Sequence, residues 1–310
     1  MQLINSDPIQ PIIKPMLKAP FPWFGGKSRV ASIVWRHFGD VKNYVEPFAG
    51  SLAVLLGRPT PPKIETVNDL DCYLANFWRA LKFDPAGTAA AADWPVNEAD
   101  LHARHKWLIN QADFRERMHS DPDYYDVKIA GWWVWGLCAW IGDGWCGAES
   151  RKLIHLGDAG RGINRNSAHR IAAYFDQLAD RLREVRVCCG DWARVAGPSV
   201  TLKHGLTGVF LDPPYASERA GSYTVDSYTV AHDVRSWAIE NGDNPLMRIA
   251  LCGYEGEHDM PDGWLEIAWK ARGGYGIQGN TTGRENSEKE RIWFSPHCLQ
   301  SVKQRDLFCI

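Results

Sequence analysis

The chain has almost no excess charge of either sign. Its 310 residues carry 35 Lys+Arg against 37 Asp+Glu, a net charge of −2, with a pI of about 6.6. No protein-wide positive field exists to draw in a polyanion, so a nucleic-acid partner must be met by a local basic surface. Long apolar runs are also missing. No stretch is long enough to span a bilayer, and residues 1–20 lack the apolar core of a signal peptide, so the expected location is the cytoplasm. The eight cysteines show no C-x-x-C and no regular spacing. They are expected as reduced, mostly buried thiols, with no disulfide frame and no metal site. No internal repeat occurs, and the one low-complexity tract is the short run Ala89–Ala92, which excludes a solenoid. The three-glycine dinucleotide fingerprint is absent as well, which argues against a nicotinamide dehydrogenase.

What is present centres on Asp212-Pro213-Pro214-Tyr215, which follows the apolar run Gly208–Leu211. The run reads as a buried parallel strand. Two prolines stiffen the turn and remove N–H donors, leaving carbonyls free. An acid and a free carbonyl can accept both hydrogens of one –NH2 group, and the tyrosine offers a face to a planar ring. A ring-bound amine, adenine N6 or cytosine N4, suits such a seat; an ordinary strand-ending turn is the plain alternative.

Other strands end the same way. Val41–Val45 leads into Glu46-Pro47-Phe48-Ala49-Gly50-Ser51, with a helix from Leu52 to Leu56. Strand, glycine turn and helix form the layout of a nucleotide-binding turn, although tight packing alone also explains one glycine. Ile64–Val67 ends at Asn68-Asp69, and Asp69 stands 19 positions after Gly50 (69 − 50), suited to ribose hydroxyls. Asp71 is the better placed of the two to cap the helix Tyr73–Leu81. Val185–Cys189 ends at Gly190-Asp191-Trp192, an acid beside an aromatic, which fits either an adenine edge or a turn. The helix before it is read over His169–Arg186, and a later one over Asp233–Asn241 after a long polar connection from Ala216. Arg248–Gly253, Trp264–Lys270 and Arg291–Ser295 read as further strands.

Between Asp84 and Ile163 strand signals disappear. Gly131–Trp140 is dense in tryptophan, a residue the whole chain holds 15 times. It reads as the core of a helical subdomain, with Trp140 and Trp145 either packed or carried on a base-contacting loop. Arg151, Lys152, Arg161, Arg165 and Arg170 face only Asp158 over Arg151–Ile171, a local charge of +4 (5 − 1). This glycine-containing segment is a candidate mobile phosphate-contacting loop, and the loop Gly273–Glu290, flanked by Arg272 and carrying Arg284, is a second.

Phe21-Pro22-Trp23-Phe24-Gly25-Gly26-Lys27, Glu46–Ser51, Asn68-Asp69 and Asp212–Tyr215, in that order, resemble the Dam-type (class alpha) adenine-N6 DNA methyltransferases over most of residues 20–296. The likeness implies an α/β fold, a Rossmann-like S-adenosylmethionine-dependent sheet with an inserted, mostly helical target-recognition domain. Its expected parts are a catalytic domain of residues 1–82 and 166–310 and an insert of residues 83–165. It implies methyl transfer from S-adenosylmethionine to a flipped adenine in double-stranded DNA, without a metal, in a bacterial or phage-infected cell. Asp212, Pro213, Pro214 and Tyr215 would be catalytic. Trp23, Lys27, Glu46, Phe48, Gly50, Asp69, Asp191, Trp192 and Asp212 would bind the cofactor, with Lys27, Glu46 and the Gly50 turn at its methionine end, Asp69 at its ribose and Asp191 with Trp192 at its adenine. Arg151, Lys152, Arg161, Arg165, Arg272 and Arg284 would meet DNA. The sequence departs from the family at Leu52, where a second glycine is usual, and over residues 130–165. Other amines, cytosine N4 in DNA or adenine in RNA, and a non-catalytic DNA-binding relative are the rival readings.

Overall fold

A computed structural model describes residues 17–23, 26–121, 123–141, 145–146, 154–157, 161–165, 168–215, 227–269 and 289–300. In chain order the elements are α1 (Ala31–Phe38), β1 (Asn43–Glu46), α2 (Ala53–Leu56), β2 (Ile64–Asp69), α3 (Cys72–Phe83), α4 (Pro85–Ala92), α5 (Glu98–Ile109), α6 (Phe114–Ser120) and α7 (Val127–Leu137). They continue with β3 (Trp140–Ile141), β4 (His155–Leu156), α8 (Ala168–Leu182), β5 (Arg186–Cys189), α9 (Ala193–Ala196), β6 (Thr207–Leu211), α10 (Ser227–Gly242), β7 (Met247–Tyr254), β8 (Leu265–Ala268) and β9 (Glu290–Phe294).

Seven strands form one sheet in the order β5-β2-β1-β6-β7-β9-β8. The first five are mutually parallel, and β9 runs antiparallel between β7 and β8. The central strand β6 is buried along its whole length, as expected for a parallel strand covered on both faces. Its alternate side chains divide between two cores. Val209 and Leu211 join Val234 and Ala238 of α10 on one face, while Phe210 joins Phe38, Tyr44 and the helices of the other. This period of two is the strand's own geometry expressed as two hydrophobic layers.

The second core runs without a break from α1, α3 and α8 into α7 and α4. Helices α4 to α7 thus pack directly on α3 and α8. Among the described residues of this region, the only strands are the two-residue pair β3 and β4. Trp133, Trp135 and Trp140 are buried in it, and so is Trp145, whose Nε1 donates to Trp133 O at 3.1 Å. The position of Gly136 explains how: a Cβ there would sit 1.9 Å from Trp145 Cζ2. Trp140 and Trp145 are core residues, and the base-contacting alternative for them is not what the fold adopts.

Two helix boundaries differ most from expectation. The helix read as His169–Arg186 ends at Leu182, and Val185 N–H then bonds Leu182 O to turn the chain into β5. Helix α10 begins at Ser227, six residues before the expected Asp233. Asp71 caps α3 as anticipated, accepting from Tyr73 N at 2.8 Å. Seven of the eight cysteines are described and all seven are free thiols. Among the described residues no helix is long and apolar enough to cross a membrane.

Candidate active site

Parallel pairing collects the candidate acids. The carboxyl ends of β5, β2, β1 and β6 lie on one edge of the sheet, so Asp191, Asp69, Glu46 and Asp212 follow one another along it. The chain moves outward from β1 to β2 and β5, then returns to the other side of β1 as β6. The reversal opens a crevice between β1 and β6, the place where open α/β sheets bind ligands. Because β9 is antiparallel, its first residue comes to the same edge, and Glu290 pairs with Tyr254 at the end of β7.

Asp212 is held by a cluster of charged and hydroxyl side chains. Lys27 Nζ lies 3.0 Å from Asp212 Oδ1 and 3.7 Å from Glu290 Oε2, and it donates to Tyr215 Oη at 2.9 Å. Tyr215 has one proton for two carboxylates, Glu290 Oε2 at 2.9 Å and Asp212 Oδ1 at 3.2 Å. The Lys27 and Glu290 side chains are 8% and 5% exposed, while Asp212 keeps 20%. Burial alone would lower the lysine's pKa; Asp212 and Glu290 outweigh it and hold it raised, so the ammonium is charged. Burial, then the same two carboxylates, pushes the Tyr215 phenol well up. With one cation between two carboxylates, the cluster carries a formal charge of −1. Both protein donors use Oδ1; among the described residues none is bonded to Asp212 Oδ2 or to the Pro213 carbonyl.

Tyr215 is placed differently from the stacking platform anticipated for it. The residue is 5% exposed, and its ring meets Tyr254 edge to face at 4.5 Å and has Lys27 Nζ 5.2 Å from its centroid. Here it acts on Asp212 and Glu290 through its hydroxyl. Glu290 is a site residue that sequence reading missed. Lys27, expected at the methionine end of the cofactor, stands beside Asp212.

Asp69 is held by the backbone instead. Its Oδ2 accepts from Gly50 N at 3.0 Å and its Oδ1 from Asp71 N at 2.9 Å. The neighbouring Asn68 Nδ2 donates to Pro47 O at 3.0 Å and Gly190 O at 2.9 Å, so one dipeptide pins the loops after β1 and β5. Gly50 has φ +46°, and a Cβ on it would meet Trp23 Nε1 at 2.7 Å. Trp23 and Gly50 are therefore in contact, and Trp78 Nε1 closes the turn from below by donating to Gly50 O at 3.1 Å. Leu52, where a second glycine was expected, adopts φ 54° and ψ 25°. The turn keeps a glycine-like backbone with a leucine in it, and the side chain is fully buried. Burial pushes the Asp69 carboxyl up to about 7 despite its N–H partners. Glu46, also buried, is raised well above the ordinary carboxylate range, with Tyr44 Oη donating to its Oε2 at 3.0 Å.

At the outer end of the edge, Trp192 stacks near Phe48 with centroids 6.1 Å apart and planes 27° from parallel. Asp191 is exposed and accepts from Ala193 N at 2.9 Å. Of the expected DNA-contacting residues, Arg161 is half-buried and Arg165 exposed on a short 3-10 turn. That turn is anchored by buried Ile163 and by Asn164 Nδ2, which donates to Trp135 O at 3.3 Å. Arg151, Lys152, Arg272 and Arg284 lie outside the described residues.

Residues 23–129 match the family model of the D12 class N6 adenine-specific DNA methyltransferases. The matched segment is about a third of the chain. It contains Trp23, Lys27, Glu46, Phe48, Gly50 and Asp69, and it ends before Asp191 and the Asp212 tetrapeptide. No curated protein matches the chain.

Proposed function

We propose that the protein is a site-specific DNA adenine-N6 methyltransferase that uses S-adenosylmethionine and acts on a flipped adenine in double-stranded DNA. The observation that carries this reading is the Asp212 cluster. A carboxylate stands at the strand-edge crevice with one oxygen held by protein donors, its second oxygen without a partner among the described residues, and a net negative charge on the cluster. The family match over the other half of the edge supports the same reading.

The residues present fit the cofactor. Asp69 offers remaining lone pairs to ribose hydroxyls, the Gly50 turn allows close backbone approach, and Phe48, Asp191 and Trp192 gather where an adenine ring would lie. Glu46, held by burial toward its neutral form, offers hydrogen-bonding oxygens to the amino-acid end of the cofactor. When bound, S-adenosylmethionine supplies an electrophilic methyl group.

The protein's own part in the reaction is orientation and electrostatics. Extruding a base costs about a few kcal/mol, least where pairing is weakest. Asp212 Oδ2 and the Pro213 carbonyl would each accept one hydrogen of the adenine amine, turning its lone pair out of ring conjugation toward the methyl. Positive charge grows on nitrogen as the bond forms, and a preorganised site of charge −1 stabilises it more than it stabilises the neutral amine. Lys27 prevents Asp212 and Glu290 from repelling one another across the crevice, and Tyr215 fixes their spacing. Stacking of the base on Tyr215 would need Tyr254 and Lys27 to uncover the ring.

The test is direct. The full-length protein is incubated with duplex DNA and methyl-labelled cofactor, and the digested product is identified by mass spectrometry. N6-methyldeoxyadenosine is expected, and it should be lost in Asp212→Ala while calorimetric cofactor binding persists. N4-methylcytosine as the product, or turnover that survives Asp212→Ala, would overturn the reading.

A further inference from the structure

We propose that Cys72, His119 and Cys189 form a binding site for a soft divalent cation, zinc first of all. His119 and Cys189 lie 47 and 117 positions after Cys72 in sequence, so no spacing motif could announce them. The fold assembles them in three steps. Cys189 ends β5 directly opposite Asp69 of β2. Cys72 opens α3 just beyond the Asp71 cap, so its side chain turns back toward the end of β5. His119 arrives from α6, whose end is held onto α3 by Arg79: its Nη1 donates to Met118 O at 3.4 Å, Asp121 O at 3.4 Å and Tyr124 O at 3.3 Å.

The spacings decide what such a cluster suits. Cys72 Sγ lies 3.8 Å from Cys189 Sγ and 3.4 Å from His119 Nε2, and the three atoms are all within 4.8 Å of one another. A tetrahedral zinc ion with Zn–S of about 2.3 Å and Zn–N of about 2.0–2.1 Å has edges of roughly 3.8 Å between sulfurs and 3.6 Å between sulfur and nitrogen. Two of the three edges are thus already present within a few tenths of an ångström. A disulfide needs sulfurs about 2.05 Å apart, a far larger displacement. The two thiols are buried and the imidazole is exposed, which gives a route from solvent and leaves a fourth position for water.

The site lies apart from the Asp212 cluster, so it stands independently of the methyl-transfer reading. A bound ion would clamp the start of α3 and the end of β5, next to Asp69 and Asp191, to α6.

The full-length protein, reduced, stripped with chelator and desalted, is titrated with zinc against a chromophoric chelator, and in parallel with cobalt. One equivalent is expected, with a thiolate-to-cobalt charge-transfer band and a zinc-dependent rise in melting temperature. Cys72→Ser and Cys189→Ser should remove both signals, and His119→Ala should weaken affinity at least tenfold. Cys188→Ser, the adjacent thiol outside the cluster, should bind as the wild type does. His119→Ala changes an exposed side chain, so it carries the test should either serine variant fail to fold. Absence of uptake by the folded wild type, or uptake unchanged by His119→Ala and either serine variant, overturns the proposal. A Cys72–Cys189 disulfide in protein isolated without reductant, with no uptake after reduction, does so as well.

Discussion

Asp69 and Asp212 occupy equivalent positions, each at the carboxyl end of a parallel strand, yet they are held in opposite ways. Asp69 accepts two backbone N–H groups from turns that cannot move without unmaking the sheet edge. Asp212 is held by a lysine and a tyrosine, side chains with rotamers to change. A backbone-held acid keeps one geometry whether or not a ligand is present, which suits a cofactor subsite. An acid held by side chains on one oxygen alone can take a further donor on the other, which suits a group that must grip an incoming amine. The two also differ in electrostatics: Asp69 is neutralised by its environment toward the protonated form, Asp212 by a cation.

The widest separation between them should appear in kinetics. Asp212→Asn keeps the shape and loses the charge, so transfer should fall by about 10²–10³ or more, the cost of losing a preorganised charge-stabilising group. Cofactor affinity should stay within a few-fold. Asp69→Asn should do the reverse, weakening cofactor binding about tenfold, in keeping with one charge-assisted hydrogen bond, while leaving saturated turnover nearly intact. Single-turnover rates and calorimetric titrations of both variants check this, and parallel losses in the two would erase the distinction.

Stability should separate them next. Lys27→Met strips the cation that pairs with Asp212 and Glu290 and leaves two carboxylates beside each other. Breaking a buried pair costs about 3–5 kcal/mol, and the lower end applies because Asp212 retains some contact with water. Urea unfolding measures this; a loss well under 1 kcal/mol would mean the cluster contributes little to the fold. On the Asp69 side the equivalent lesion is steric. Gly50→Ala places a methyl 2.7 Å from Trp23 Nε1 and puts a non-glycine residue in left-handed backbone, which costs roughly 1–2 kcal/mol before the clash is counted. Trp23→Ala in the same chain should recover only the clash, and a double-mutant cycle isolates that part.

The sequence revealed the two regions unequally for the same reason. Asp69, Gly50 and Asp71 sit within 22 consecutive residues (50 to 71), and local strand, turn and cap chemistry was enough to assign them places. The partners of Asp212 come from 185 positions before it and 78 after it (212 − 27 and 290 − 212). Lys27 was noticed for its loop and given to the cofactor. Glu290 lies in Glu288-Lys289-Glu290-Arg291, a charged run that reads as solvated surface, and only the antiparallel placement of β9 brings it to the crevice. The same holds for Cys72, His119 and Cys189, whose meeting depends on strand order and on α6 folding back over α3. For Trp140 and Trp145 the sequence left packing and base contact open, and the structure packs both. Gly136 and the carbonyls of Trp133 and Trp94, which supply room and acceptors for the Trp145 and Trp135 indoles, could not be read from composition.

The finest test of the comparison is its pH dependence. Burial sets the Asp69 carboxyl at about 7, so at pH 6 it is mostly protonated and holds a proton that competes with a ribose hydroxyl. Cofactor affinity should therefore rise by about tenfold from pH 6 to pH 8, one pKa unit being worth about 1.4 kcal/mol. Stability of the unliganded protein should move the other way. The folded carboxyl titrates above the unfolded value of about 3.9, so between roughly pH 4 and 7 the folded state binds a proton that the unfolded chain has released. This group's contribution consequently declines as pH rises through that window. Asp69→Asn should flatten both curves, affinity by calorimetry and melting temperature by circular dichroism. Affinity and stability that rise together with pH, or slopes that persist in Asp69→Asn, would place the titrating group elsewhere.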